Sequence, residues 1–313
     1  MSFAAMMLVA AALDVALGWP SRLYALIGHP VTWIGALIRW LDVALNNDDA
    51  GDFPRRIAGV VTAVVVVGLV AGVAFALQWL LPAGWLGIVI GGVLAWPLLA
   101  LRSMYSHVAD VVYPLQNKDL AQARHAVSMI VGRNAAVLDE AGVARAAMES
   151  LAENTSDGIV APLFWGALLG LPGIAAYKAI NTLDSMIGHR TPRFEAFGCA
   201  SARIDDVVNL IPARLTGAVF ALVSAAPRKA VAVMWRDAGL HRSPNAGWPE
   251  AAMAAGLGVR LSGPRVYADR VADEPWVNAG APDPTPVDLQ RGLALYVRAM
   301  FVLAAVLLVL ALI

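Results

Sequence analysis

The sequence predicts an all-α, polytopic integral membrane protein with four to six membrane-embedded helices and cytoplasmic helical loops. Three observations carry that expectation. Of 313 residues, 59% are hydrophobic and only 15% charged, with a mean hydropathy of +0.66; a soluble domain usually carries about 25% charged residues. Several apolar runs have the length a bilayer core demands, about 20 residues in a helix. No strand-rich region and no internal repeat competes with the helical pattern.

Taken in order, Met1 to Leu17 is apolar, lacks a basic start and carries Asp14 inside the run, so it reads as a retained first segment rather than a cleaved signal. Gly18 to Arg56 mixes Pro, Trp and charge and is expected to hold an amphipathic surface helix from Val31 to Leu45. Ile57 to Leu80 and Trp85 to Leu101 are uncharged, and only Leu81-Pro82-Ala83-Gly84 separates them, which predicts a tight helical hairpin. Residues 102–157 read as a soluble helical insertion with a clear run from Ala135 to Asn154. Gly158 to Ala176 is uncharged but interrupted by Pro162, Gly170, Pro172 and Gly173, whereas Val207 to Ala226 carries Asn209, Pro212 and Arg214 in its first third. Residues 227–291 form a long polar connection before the last helix, with a turn at Ser243-Pro244-Asn245-Ala246-Gly247 and a Pro-rich stretch from Asp273 to Pro286. Thr285-Pro286 reads as an N-cap followed by proline at the first helical position, launching the span Leu293 to Ile313, which holds Arg298 near its start. The whole chain, 1–313, is expected to be one membrane-embedded domain.

Basic residues set the expected orientation. Arg22, Arg39, Arg55 and Arg56 precede the hairpin, and Arg102, Lys118, Arg124, Arg133 and Arg145 follow it, so those loops face the cytoplasm and the 81–84 turn lies outside. Were Gly158 to Ala176 a full span, Lys178, Arg190, Arg193 and Arg203 would lie outside. Its Pro and Gly breaks instead allow a re-entrant or protein-buried segment. The formal net charge is zero, which leaves no basic footprint for nucleic acid. The single Cys199 cannot form an intramolecular disulfide and is expected to be a small buried apolar residue. Neither a P-loop nor a dinucleotide fingerprint is present, and histidines 29, 107, 125, 189 and 241 lack zinc spacing. His29 and His189 each stand beside a turn, where they could contact substrate or serve as structural histidines.

Three polar stretches cluster around the weaker membrane segments. Glu149, Glu153 and Asp157 are four residues apart, so a continuous helix would put all three carboxylates on one face, with Asn154 beside them. Hard oxygen ligands at that spacing suit Mg²⁺, and a solvated acidic face would look the same. In the second stretch Lys178, Asn181, Asp184 and Ser185 project to one side of a helix, a pattern that suits a phosphate-and-metal site as well as a polar membrane edge. The third, Arg203 to Arg214, holds Asp205, Asp206 and Asn209. An ionisable residue so near a membrane segment is a functional candidate, and Arg214 suits either a phosphate or carboxylate clamp or a salt bridge to one of the aspartates.

Together and in this order, these stretches resemble the cobalamin-biosynthesis family of adenosylcobinamide-phosphate synthases. The matching pieces are His29-Pro30-Val31 with Gly35, then Glu153-Asn154-Thr155-Ser156-Asp157-Gly158 running into Ala161-Pro162-Leu163-Phe164. Lys178 to Gly188, Arg203 to Arg214, and Ser243 to Gly247 with Pro249-Glu250-Ala251-Ala252-Met253 complete the set, over residues 14 to 270.

The resemblance implies amide-bond ligation of the propionate carboxyl of adenosylcobyric acid to (R)-1-amino-2-propanol or its O-phosphate, driven by ATP with Mg²⁺ and passing through an acyl phosphate. On that reading the corrinoid is a substrate rather than a cofactor. Glu153, Asp157, Asp184, Asp205 and Asp206 are the candidate metal ligands, and Lys178, Asp184, Glu149 and Arg214 the candidate catalytic residues. His29, Asn154, Asn181, Ser185, Arg203, Asn209, Ser243 and Asn245 are candidates for substrate or nucleotide binding. A proton acceptor for the amine would be Glu149 or a histidine. Expected partners are the two substrates and the lipid bilayer, with other cobalamin-pathway enzymes or a second copy of the chain as further candidates. The location implied is the cell (inner) membrane, multi-pass, with the site facing the cytoplasm. The competing reading is an intramembrane transferase using a diphosphate-linked donor, of prenyl or CDP-alcohol type, whose aspartate spacing this chain does not reproduce.

Overall fold

The computed structural model describes residues 1–132, 134–266, 271–272 and 274–313. Arg133 and Asp273, named above as a loop charge and as the start of the Pro-rich stretch, lie outside the described residues. In chain order the helices are α1 (Phe3–Leu17), α2 (Ser21–Ile27), α3 (Pro30–Leu45), α4 (Asp52–Trp79), α5 (Trp85–Ala95), α6 (Leu101–Gln116), α7 (Leu120–Ser128) and α8 (Glu140–Thr155). After a π-helical turn at Ser156–Val160 come α9 (Ala161–Leu169), α10 (Leu171–Ile187), α11 (Cys199–Val208), α12 (Leu210–Val223), α13 (Pro227–Asp237), α14 (Gly247–Leu257) and α15 (Pro286–Leu312). Two antiparallel pairs of two-residue strands interrupt an otherwise helical chain: β1 (Leu261–Ser262) with β4 (Trp276–Val277), and β2 (Arg265–Val266) with β3 (Val271–Ala272).

Three stretches are long and apolar enough to cross a membrane: α4, Trp85–Gln116 and α15. Two bent helix pairs, Phe3–Leu17 with Ser21–Leu45 and Cys199–Val208 with Leu210–Val223, raise the number to five if each is one span. The chain divides into two compact units, one of residues 1–100, 161–209 and 306–313, the other of residues 101–160 and 210–305.

In the first unit α4 and α5 follow one another across the 80–84 turn, yet α4 packs chiefly on α10 and α5 on α1. The predicted surface helix is α3. It turns Ile34, Ile38 and Leu41 into a core with Ala63, Val66, Leu183, Ile187 and Phe197, and leaves Trp33, Trp40 and Val43 exposed. The interrupted segment is two short helices that break at Gly170, whose φ of 71° favours a residue without a Cβ. Arg193 is not a loose charge, for it pairs with Asp42 (3.0 Å) and Asp48 (3.1 Å), while Arg55 donates to Asn46 (3.0 Å) and to the Arg193 carbonyl. Cys199, expected to be buried, is half-buried because it opens α11 rather than sitting inside a helix face.

The second unit is built around α14, where only Trp248 is not buried. Its run of Ala and Gly lets α8, α12 and α13 pack closely around it. The 227–291 stretch, polar in composition, thus supplies this central helix, α13 and both strand pairs. Trp276 on β4 lies between two guanidiniums, Arg145 (4.6 Å) and Arg260 (4.0 Å), and both donate to Asp283. Thr285 caps α15 as its sequence predicts: its Oγ1 accepts the Asp288 N–H at 3.3 Å, and Asp288 accepts the Thr285 N–H at 3.0 Å.

Candidate functional site

In the first unit the polar residues of α10 and α11 meet. Gly198 brings the helices together: a Cβ there would stand 1.6 Å from the Ile187 carbonyl oxygen, so no other residue fits without moving the backbone. The N-terminus of α10 is anchored by Gln78 of α4, whose Oε1 accepts the Leu171 N–H at 2.7 Å. The C-terminal end of α11 is held by Trp165, whose indole N–H donates to the Val208 carbonyl at 3.1 Å.

Between these anchors the side chains form rungs. The buried Tyr177 hydroxyl donates to Asn209 Oδ1 at 2.9 Å, and Asn209 Nδ2 donates to Asp205 Oδ2 at 3.0 Å. One turn further along α10, Asn181 lies beside Asp205. Asp184 follows on the same stripe, within electrostatic reach of Asp205, Asp206 and His189, and Arg190 lies in range of Asp206. Burial pushes the Asp184 carboxyl above the usual carboxylate range; nearby His189 opposes this and Asp206 adds to it. Lys178 stands close enough to His29 for their charges to interact. His29 caps α3, with Nδ1 accepting the Val31 N–H at 3.2 Å, so its neutral form carries the proton on Nε2. Ser185 is exposed and donates to the Asn181 carbonyl, and Arg203 is exposed. Asn209 is fully enclosed, a support for Asp205 and not a surface contact.

Two buried oxygens complete this cluster. Asp205 Oδ1 and Ser201 Oγ, one helical turn apart, have no hydrogen-bond partner among the described residues. Buried polar atoms are nearly always satisfied, so such orphans point to a ligand, ion or water. No three His, Cys, Asp or Glu side chains converge into a metal cage among the described residues. Mg²⁺ is usually held by one or two carboxylates plus substrate phosphates, and the carboxylate oxygens of Asp184, Asp205 and Asp206 are hard donors of that kind.

The candidates in the second unit have other engagements. Glu149 is buried, and its Oε1 accepts the Ser262 N–H at 2.8 Å, whereas Glu153 is exposed and Asp157 half-buried. The expected shared face is therefore lost. Glu149 is drawn inward by β1, and Asp157 falls in the π-helical turn, where the rotation per residue differs from that of an α-helix. Asn154 bonds back to its own helix at Ser150. The Arg214 guanidinium lies over Trp248 at 4.4 Å and donates to the Leu210 carbonyl; it makes no ion pair among the described residues. Ser243 Oγ accepts the N–H groups of Asn245 and Ala246, holding the turn that launches α14, and Asn245 is buried.

Sequence reasoning missed Tyr177 and Ser201. Both were signalled by spacing, Tyr177 four residues before Asn181 and Ser201 four before Asp205, but Tyr177 read as the edge of an apolar segment.

Fold and site together define a helical protein with several membrane-length apolar helices and a carboxylate-rich cluster held between two shorter ones. The chain belongs to the CobD/CbiB family of cobalamin biosynthesis proteins. The family described as CobD/Cbib protein matches residues 7–296. A cobalamin biosynthesis protein CobD from Rhodobacter capsulatus is 67% identical over 300 residues, covering 96% of this chain and 95% of that protein. The proteins of the same name from Sinorhizobium sp and Brucella suis are 44% and 46% identical, over 97% and 91% of this chain and 97% and 89% of theirs. No solved structure matches the chain.

Proposed function

We propose that the protein is an adenosylcobinamide-phosphate synthase, an ATP- and Mg²⁺-dependent acid–amine ligase. It joins the propionate carboxyl of adenosylcobyric acid to (R)-1-amino-2-propanol or its O-phosphate. The observation that carries this reading is the buried Asp205 Oδ1, unpartnered beside Asp184 and Asp206, with Lys178 and His29 on the same unit. Family membership supplies the pathway.

A carboxylate is a poor acylating agent, so the γ-phosphoryl of ATP is transferred to it, giving an acyl phosphate and ADP. The amine then attacks the acyl carbon, forming the amide, expelling phosphate and losing one proton. Phosphoryl transfer depends mainly on positioning and charge neutralisation. Asp205, with Asp184 or Asp206, would hold Mg²⁺, which when bound neutralises phosphate charge. Lys178 offers its ammonium to phosphate oxygens, and His29 presents an Nε2–H as a donor. His189, within electrostatic reach of Asp184, is the proton acceptor for the amine. Glu149 is read as scaffold, because its Oε1 is already engaged by a backbone N–H. The basic loops support a site on the cytoplasmic side of the inner membrane.

The test is purified full-length protein in detergent with adenosylcobyric acid, ATP, Mg²⁺ and each amine in parallel, read by mass spectrometry. Amide with one amine, with matching ADP, is the expected result and also identifies the amine. No amide with either, from folded protein, sinks the ligase reading in favour of a transferase that uses a diphosphate-linked donor.

A further inference from the structure

We propose that Tyr177 and Asn209 are positioning residues that act through Asp205, fixing its carboxylate so that Oδ1 is presented to a divalent cation. The inference rests on the reading of Asp205 as a metal ligand and adds what holds it in place.

The geometry is a two-bond relay. Tyr177 and Asn209 are both enclosed, 2% and 1% exposed. Asn209 can sit in the relay in only one orientation. With Oδ1 toward Tyr177 it accepts the phenol O–H at 2.9 Å, and Nδ2 donates to Asp205 Oδ2 at 3.0 Å. Flipped, the amide oxygen would face a carboxylate oxygen at that distance, acceptor against acceptor. The carboxylate therefore selects the rotamer, the hydroxyl satisfies the amide oxygen in it, and the other carboxylate oxygen, Oδ1, is left buried without a hydrogen bond of ordinary geometry, with Asn181 beside it. Tyr177, Asn181 and Asp184 share one stripe of α10, and Ser201, Asp205 and Asn209 lie at four-residue intervals along α11 and its cap. The relay is thus built into the same pair of helix faces as the carboxylates. A phenyl ring at 177 would keep the volume but leave Asn209 Oδ1 buried without a donor. The amide then turns to find one and takes Nδ2 off Asp205.

The readout is equilibrium Mn²⁺ binding, followed by electron paramagnetic resonance on purified full-length protein without substrates. Thermal unfolding and the Mg²⁺ dependence of turnover are measured alongside. Groups that orient metal ligands typically change metal affinity by about 10- to 100-fold. Tyr177→Phe and the near-isosteric Asn209→Leu are each expected to weaken Mn²⁺ binding about tenfold. The double variant should be little weaker than either single one, because both break the same relay. Tyr296→Phe removes another buried tyrosine hydroxyl, one that donates to the Leu101 carbonyl, and is expected to leave Mn²⁺ binding unchanged. A folded Tyr177→Phe protein that binds Mn²⁺ within twofold of wild type overturns the relay while leaving the carboxylate site standing. A Tyr177→Phe chain that fails to fold, with a folded Asn209→Leu protein that binds like wild type, overturns it equally. A wild-type protein that binds no Mn²⁺ overturns the metal reading of Asp205, and the relay with it.

Discussion

Glu149, Asp237 and Asp283 of the second unit and Asp205 of the first are held in opposite ways. In the second unit Glu149 takes a backbone N–H from Ser262, Asp237 takes a bidentate arginine and the Asn278 N–H, and Asp283 takes two arginines that flank Trp276. Each carboxylate there ties together distant parts of the chain. In the first unit Asp205 has one oxygen held by Asn209 and the other buried without a hydrogen bond of ordinary geometry, with Asn181, Asp184 and Asp206 close by. Gathering like charges while leaving a buried oxygen unpaired destabilises a fold, and such an arrangement persists where a cation or substrate uses it. Among these residues the saturated carboxylates go with scaffold, and the unsaturated Asp205 goes with the proposed site.

The largest expected effect tests that division directly. Asp205→Asn and Asp184→Asn each keep size and hydrogen-bonding capacity but remove the charge. Turnover should fall by at least about 100-fold, beyond what loss of an orienting group alone produces, while membrane insertion is kept and the unfolding midpoint does not fall. Full activity in the Asp184 variant would remove that residue from the site.

A mid-sized effect should appear in the second unit, in stability rather than chemistry. Glu149→Ala strands the buried Ser262 N–H, and losing the acceptor of a buried donor costs about 1–3 kcal/mol. Thermal unfolding in detergent should show the loss, with kcat of the folded fraction kept within a few-fold. A folded variant with wild-type stability and no turnover would return Glu149 to the chemistry.

Glu149 also shows where the sequence stops being informative. Local pattern located the long apolar helices, the cap at Thr285, the amphipathic α3 and the polar stripe on α10, because each depends on residues within a turn or two. The same pattern put Glu149, Glu153 and Asp157 on one face. Two facts separate them: a hydrogen bond that Glu149 accepts from a strand 113 residues away, and a π-helical turn that changes the phase at Asp157. The stacking of Arg214 on Trp248 was hidden for the same reason, since Trp248 lies in a segment whose composition reads as a polar connection. Asn209 was legible as part of the site but not as a support, because only its burial against Tyr177 distinguishes the two.

The smallest effect is a difference in the sign of a pH slope. The Arg236 guanidinium and the Asn278 N–H hold Asp237 below the usual carboxylate range against the opposing effect of burial. A carboxylate with a depressed folded pKa contributes stability above its unfolded value of about 3.9, and that stability is lost as pH falls through the folded pKa. Asp184 is raised, chiefly by burial, so its contribution runs the other way: present below about 3.9 and lost as pH rises through the folded value. Unfolding midpoints measured from pH 3 to 7 without divalent cations should therefore separate the two variants. Asp237→Asn should flatten the acid side of the profile, by about 1 kcal/mol or less because its arginine is solvent-exposed. Asp184→Asn should instead make the protein more stable toward neutral pH, where the wild type carries an ionised, crowded carboxylate. If both variants change the profile with the same sign, the contrast between a saturated scaffold and an unsaturated site fails, and Asp184 joins the ordinary structural carboxylates.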